Sequence, residues 1–283
     1  MTTAAVPDPA ATIVLLSGDA PPEVFFVCRH AKSAFMANAW VFPGGRLDVL
    51  DRDQRVLDRL DGVDSAGLVA RMHGVDDPEP ALALVVCALR ETFEEAGILL
   101  GTDAAGAPLG PDRVAALAAA RPAVLSGDVS FPSLLVELDL RLDGGALTYF
   151  DHWITPPIEK RRFDTRFFVA RAPAGQEPHH DAAETTDSIW LGADAALTRH
   201  ATEALSLAPP TFWILGELAR HADAAELIAW AASRPVPAIR PTVVTVDGAL
   251  CIALPGDPLH PSGPPATATL QRVVWDGHSW TRG

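Results

Sequence analysis

Apolar residues recur along this chain in two rhythms, and each predicts its own kind of element. Short apolar runs bounded by Gly, Pro and Asp mark strands. Ala11 to Leu16 and Val24 to Cys28, joined by a turn at Gly18 to Pro22, predict a strand pair that starts a central sheet. Trp40-Val41-Phe42 leads through Pro43 into Gly44-Gly45, a place where backbone passes close to another group because no Cβ intervenes. Leu147 to Ile154, Phe163 to Ala170 and Ser188 to Leu191 predict further strands. The second rhythm is helical. Asp77-Pro78 is a start signal, since Asp can cap free amides and Pro suits the first helical position, and Gly97 is a stop. Between them Leu82, Val86, Leu89 and Phe93, with Val85 beside them, form a stripe that packs on a sheet. Pro111 to Ala120, Leu134 to Leu138 and one long helix from Thr211 to Ser233 are also predicted.

Two segments depart from this alternation. From 49 to 79, leucines and valines separated by Asp and Arg predict one or two short amphipathic helices lying over the surface as an insertion. After the break at Pro235, Pro237 and Pro241, residues 242–283 predict two hairpins turning at Asp247-Gly248 and Asp276-Gly277. The expected organisation is an α/β domain over 1–234 with a mixed central sheet. A Pro-rich linker and β-hairpin extension over 235–283 packs on it.

Composition narrows the function. The chain has 283 residues, 48% hydrophobic and 20% charged, enough for one large domain with an appendage. Its longest apolar run, Ala81 to Leu89, is too short to span a bilayer, and the start MTTAAVPDPA lacks a secretion signal's basic residues, so a cytoplasmic location is expected. Cys28, Cys87 and Cys251 are far apart, with no C-x-x-C pair, which fits a reducing compartment. The net charge of −14 argues against nucleic acid as a partner. No membrane partner is expected, and a small anionic substrate would need local cations or metal ions.

Candidate chemistry lies at the end of the strongest helix. Glu91, Glu94 and Glu95 stand at i, i+3 and i+4, so their carboxylates share one face and repel. A divalent cation offsets that repulsion, and Mg²⁺ prefers a few carboxylates plus water and phosphate oxygens. Arg90 can steady one carboxylate. A solvated acidic helix end has the same composition, so the surrounding residues decide. Those are Gly44-Gly45 upstream and Arg90-Glu91-Thr92-Phe93-Glu94-Glu95-Ala96-Gly97-Ile98, which together resemble the Nudix box, G-x5-E-x7-R-E-U-x-E-E-x-G-U with U apolar. Thr92 replaces the usual aliphatic residue. Arg90 follows Gly45 by 45 positions (90 − 45), where an unbroken box needs 14, so about 31 residues are inserted. The box's first glutamate has no evident counterpart: counting on from Gly45 reaches Asp51, and counting back from Arg90 reaches Leu82.

The split box is similar to that of the Nudix branch holding the peroxisomal-type coenzyme A diphosphatases. The similarity runs from about Ala11 to Leu218, through Ala34-Phe35-Met36, Val41 to Asp48, His152 to Pro156, Arg161 to Val169 and Trp190. The resemblance implies an α/β/α sandwich and hydrolysis of a pyrophosphate bond. It implies Mg²⁺, with Mn²⁺ as a substitute, on Glu91, Glu94 and Glu95, with Glu94 sharing base duties and Arg90 orienting the cluster. The substrate it implies is coenzyme A or an acyl derivative, giving phosphopantetheine and adenosine 3′,5′-bisphosphate. ADP-ribose, NADH or a dinucleotide are alternatives, as is a sensing module that binds a nucleotide without cutting it.

Outside the box, Glu184 is a second candidate base or ligand and Asp181 a weaker one, although either serves equally as a solvated loop carboxylate. Arg29, Gly44, Gly45 and Arg166 are the expected substrate-binding residues; His30, Lys32, Arg161 and Arg162 could also meet phosphate, or simply aid solubility. His152 beside Trp153 reads as a packed histidine, and Cys87 as a small residue needed for close packing. The C-terminal segment leaves a homodimer open.

Overall fold

The computed structural model describes residues 5–33, 36–181, 184–263 and 271–283. Ala34, Phe35, Ala182 and Ala183, which fall within expected motifs, lie outside them. The chain opens with strands β1 (Asp8–Ser17), β2 (Glu23–Arg29), β3 (Trp40–Val41) and β4 (Gly44–Arg46). The insertion follows as a 3₁₀ turn (Val49–Arg52), α1 (Gln54–Leu57), β5 (Leu60–Asp61) and α2 (Ser65–Arg71). Then come α3 (Pro78–Ala96), β6 (Gly101–Asp103), α4 (Pro111–Leu125), α5 (Phe131–Glu137) and β7 (Leu140–Asp143). Strands β8 (Thr148–Ile154), β9 (Phe163–Arg171) and β10 (Thr185–Gly192) complete the main sheet. Helices α6 (Ala193–Ala201), α7 (Pro209–Leu218) and α8 (Ala224–Ser233) precede strands β11 (Thr242–Val246), β12 (Ala249–Ala253), β13 (Arg272–Trp275) and β14 (Trp280–Arg282).

The main sheet is mixed, with order β10-β2-β1-β9-β8, and β3 and β4 pair with β2 and β1. β1 runs parallel to β9 and antiparallel to β2. Being central, β1 is buried on both faces, which is why its apolar run does not alternate with polar residues. Ile13 and Leu15 enter one core with α3, while Val14 and Leu16 enter a second with α7 and α8. This is the expected sandwich.

Helix α3 is buried on nearly every side, so Ala81 to Leu89 is apolar all round rather than along a stripe. Leu82, placed first in that stripe, is only half-buried. Asp77 has the extended N-cap backbone, but its carboxylate caps nothing; Gly97 closes the helix at φ 72°. Helix α4 continues past Ala120 to Leu125 despite Pro122. Burial of Leu117 and Val124, and hydrogen bonds from Arg121 to the carbonyls of Glu94 and His179, override the local break.

The single helix expected from Thr211 to Ser233 is two. Asp223 accepts the Glu226 amide and Glu226 accepts the Ala222 amide, so a new helix starts there. Strands β5, β7 and β6 form a separate three-stranded sheet that was not expected, and α6 was missed as well. The two C-terminal hairpins pair as one sheet, β11-β12-β13-β14. Leu254 and Val273 enter the second core, Ile239 exchanges backbone hydrogen bonds with the edge of β8, and Arg282 binds Glu217.

Candidate active site

The site is assembled around one guanidinium. Arg90 on α3 is buried, and its Nε and Nη2 donate to the two carboxylate oxygens of Asp51 at 2.7 and 3.0 Å. Its Nη1 donates to Glu91 Oε1 at 2.8 Å and Glu94 Oε2 at 3.0 Å, and Nη2 also reaches the Arg46 carbonyl. One planar fork thus sets the direction of three carboxylates, a geometry that only arginine provides. Asp51 is itself fixed in the 3₁₀ turn, where its second oxygen accepts the Asp48 amide and Asp48 accepts the Leu50 amide. The insertion therefore supplies the partner of Arg90. The forward count from Gly45 lands on this aspartate; the backward count from Arg90 stays within α3, stops at Leu82 and never reaches the insertion.

The third glutamate is oriented from the other side. Glu95 Oε2 accepts the Gly44 amide at 2.9 Å. A Cβ on Gly45 would lie 2.4 Å from Glu91 Oε1, and one on Gly44 would lie 2.6 Å from the Ala11 carbonyl. Both glycines are thus required by close approach, one to the acids and one to β1. Cys87 lies beneath them, its thiol 3.7 Å from the Gly45 carbonyl, and Thr92 satisfies its buried hydroxyl on the Ala88 carbonyl.

Burial dominates the protonation of these acids. It pushes Glu91 up to about 7, with the Glu94 charge adding to the shift and Arg90 opposing it. Glu95 lies well above the usual carboxylate range, first through burial and then through the Glu91 charge; the Gly44 amide and Arg29 pull the other way. Glu94 is raised by burial against the pull of Arg90, and Glu184 contributes to the rise.

Of the candidates outside the helix, Glu184 is exposed and close enough for its charge to reach Glu94. Asp181 is engaged in shaping the loop, accepting from the amides of Glu184 and Thr185 and from the Thr185 hydroxyl. Arg29, Gly44 and Gly45 line a cavity of about 600 Å³ on the far side of the main sheet from α3. Arg166 does not reach it. On β9 the side chains alternate, so Phe163, Thr165 and Phe167 face the cavity, whereas Arg166 is buried on the opposite face, bound to Asp164 and the His73 carbonyl. Arg162 is tied to the carbonyls of Thr155 and Ala5, and His30 accepts the Lys32 amide. His152 is packed as expected, its Nε2 2.5 Å from Asp164.

Three carboxylates sharing one helix face, each raised in protonation first by burial, suit a divalent cation that would hold them charged. Among the described residues no three acidic, His or Cys side chains converge as a ready-made cage. Mg²⁺ needs none, because it keeps water and substrate oxygens alongside one or two carboxylates.

A sheet carrying a double-glycine strand against an acidic helix, locked by its own arginine, is the arrangement that the split Nudix box leads one to expect. The family model described as the NUDT19 Nudix domain matches residues 8–220, and the chain belongs to that family of Nudix hydrolases. Acyl-coenzyme A diphosphatase NUDT19 of Xenopus laevis is 29% identical over 285 residues, covering 89% of this chain and 75% of the relative. The protein of that name in Gallus gallus is 29% identical over 282 residues, covering 87% and 74%. A NUDIX hydrolase crystal structure from Alicyclobacillus acidocaldarius superposes with a TM-score of 0.62 at 31% identity, covering 81% of this chain and 97% of that one. The resemblance drawn from the split box is therefore correct, and the chain is a Nudix pyrophosphohydrolase of a class that generally uses divalent metal ions. Among the described residues no helix is long and apolar enough to cross a membrane.

Proposed function

We propose that the protein hydrolyses the pyrophosphate bond of coenzyme A or an acyl-coenzyme A, yielding phosphopantetheine or its acyl form and adenosine 3′,5′-bisphosphate. The observation that carries the reading is the set of three glutamates, Glu95 buried and Glu91 and Glu94 half-buried, fixed by Arg90 and Gly44, joined with relatives named as acyl-coenzyme A diphosphatases. Glu91, Glu94 and Glu95 hold Mg²⁺, for which Mn²⁺ can substitute. When bound, that ion neutralises pyrophosphate oxygens and acidifies water. Arg90, itself held by Asp51, keeps Glu91 and Glu94 in register, and binds no substrate because its donors are already engaged. Arg29 and the Gly44-Gly45 backbone position the phosphates at the cavity wall. Glu94, or Glu184 on its exposed loop, accepts the proton of the attacking water. The substrate is a small molecule, with neither nucleic acid nor membrane as a partner. The three free cysteines suit the cytoplasm, and light scattering decides whether the chain forms a homodimer.

A substrate panel tests this. Coenzyme A, acetyl-coenzyme A, ADP-ribose, NADH and diadenosine polyphosphates are compared by kcat/KM with Mg²⁺ and with EDTA. The highest value is expected for a coenzyme A species, with none in EDTA. A preference for ADP-ribose or NADH reassigns the substrate, and binding without cleavage returns the sensing module.

A further inference from the structure

The large cavity has two makers. One wall comes from the part of the chain that matches the family model, through residues such as Phe42, Trp153 and Phe167. The other comes from beyond residue 220, from Pro241, Val243, Leu250, Ile252 and Trp280. We infer that this C-terminal sheet is the chain-length gauge of the enzyme, closing an apolar chamber around the acyl tail of a thioester substrate. The inference rests on the coenzyme A reading and deepens it.

The sheet is patterned for that task. Along β12, Cys251 and Ala253 are fully buried on one face, while Leu250 and Ile252 point to the cavity. Val243 on β11 stands directly opposite Ile252, so a cross-strand apolar pair faces the chamber. Trp280 completes the wall; its backbone amide donates to His200 Nε2 at 2.8 Å, and its ring lies 5.0 Å from that of Trp275. At the rim, Leu250 is 41% exposed and Ile158 is 70% exposed, apolar groups held in solvent with no packing role in the two cores.

The chamber lies within the roughly 300–1,000 Å³ range of small-molecule sites. Among the described residues its only charged lining side chains are Arg29 and Glu159, and the rest of the lining is apolar or aromatic apart from a few threonine hydroxyls. A purine is recognised by converging donors and acceptors, and a site that reads its edge leaves no wall this apolar. A saturated chain asks only for removal from water, worth about four-fold in binding per methylene. The chamber meets the acid cluster at Gly44 and Gly45, so a substrate whose pyrophosphate lies at those glycines runs its other end toward the C-terminal sheet.

The test is a chain-length profile of kcat/KM for coenzyme A and its acetyl, butyryl, hexanoyl and octanoyl thioesters, with wild type, Ile252→Trp and Leu250→Ala. Wild type should gain with each added pair of methylenes until the chamber is full. Ile252→Trp should shorten the preferred chain and lower the ratio of octanoyl-coenzyme A to coenzyme A at least ten-fold. Leu250→Ala, at a half-exposed position that folding tolerates, should lower the same ratio about four-fold or more, at the scale of one to two methylenes. A flat profile in wild type, or a steep one that both variants leave unmoved, overturns the gauge while the coenzyme A reading stands. Failure of wild type to cleave any coenzyme A species overturns that reading and the gauge with it.

Discussion

Asp51 lies far from Arg90 in sequence yet is its closest partner, and Asp51→Asn tests whether the insertion holds the active site together. Removing one member of a buried ion pair costs roughly 3–5 kcal/mol, because the charge left behind stays desolvated. Arg90 would keep Glu91, Glu94 and the Arg46 carbonyl, which places the expected loss at the lower end, about 3 kcal/mol. Asparagine can accept one of the two guanidinium donors, but its own amide then faces the other, so the bidentate geometry cannot be kept. For a chain of 283 residues the cost corresponds to a fall in Tm of about 5 °C. Urea unfolding in EDTA measures the stability term free of metal linkage. Activity should fall further than stability requires, by about 100-fold at saturating Mg²⁺, since a guanidinium released from Asp51 no longer sets the two glutamates. A loss below 1 kcal/mol with near-normal kcat would refute the reasoning and mean that the glutamates alone secure Arg90.

Gly45→Ala puts a methyl group 2.4 Å from the Glu91 carboxylate. It should abolish most turnover and cost about 1–3 kcal/mol, read by kinetics and thermal unfolding; wild-type kinetics would show that Glu91 is free to move aside. Glu91→Gln removes one titration, together with the push its charge exerts on Glu95. With its folded value near 7 against an ordinary 4.5, the unfolded chain loses this proton first, so metal-free stability falls as pH rises from 4.5 through 7, by about 3 kcal/mol. The buried histidines His152 and His200, whose values burial lowers, act in the opposite direction below 6.5 but are common to both proteins. The difference between wild type and Glu91→Gln in EDTA should therefore slope across that window, and parallel curves would remove Glu91 as its source. Restoring Mg²⁺ at about 100 times its Kd should raise wild-type stability by about 2.7 kcal/mol. In Glu95→Gln the gain should shrink, and an undiminished gain would place the ion elsewhere.

What the sequence disclosed and what it concealed divide along physical lines. The acidic helix was legible because Pro78 and Gly97 are local signals and three glutamates at i, i+3 and i+4 need no other element to share a face. The same local logic could have divided the helix at Asp223, where Asp223-x-x-Glu226 is a start signal within an apolar rhythm that continues unbroken. Strands β5, β6 and β7 span two to four residues, too few to display a period. Arg166 shows a different limit. The alternation on β9 is plain in Phe163 to Phe167, but which face meets the cavity is set by partners distant in the chain. Asp51 was reached by counting from Gly45, yet only the folded insertion brings it onto Arg90.

The proposed reaction is metal-dependent attack of water on the coenzyme A pyrophosphate, directed by Glu91, Glu94 and Glu95. Wild type and Glu95→Gln are incubated with coenzyme A and Mg²⁺ in ¹⁸O-labelled water, and the products are weighed by mass spectrometry. Wild type should yield phosphopantetheine and adenosine 3′,5′-bisphosphate, one of them carrying a single ¹⁸O, and a folded Glu95→Gln should yield neither. Equal turnover by the variant, or none by wild type, would contradict the proposed reaction.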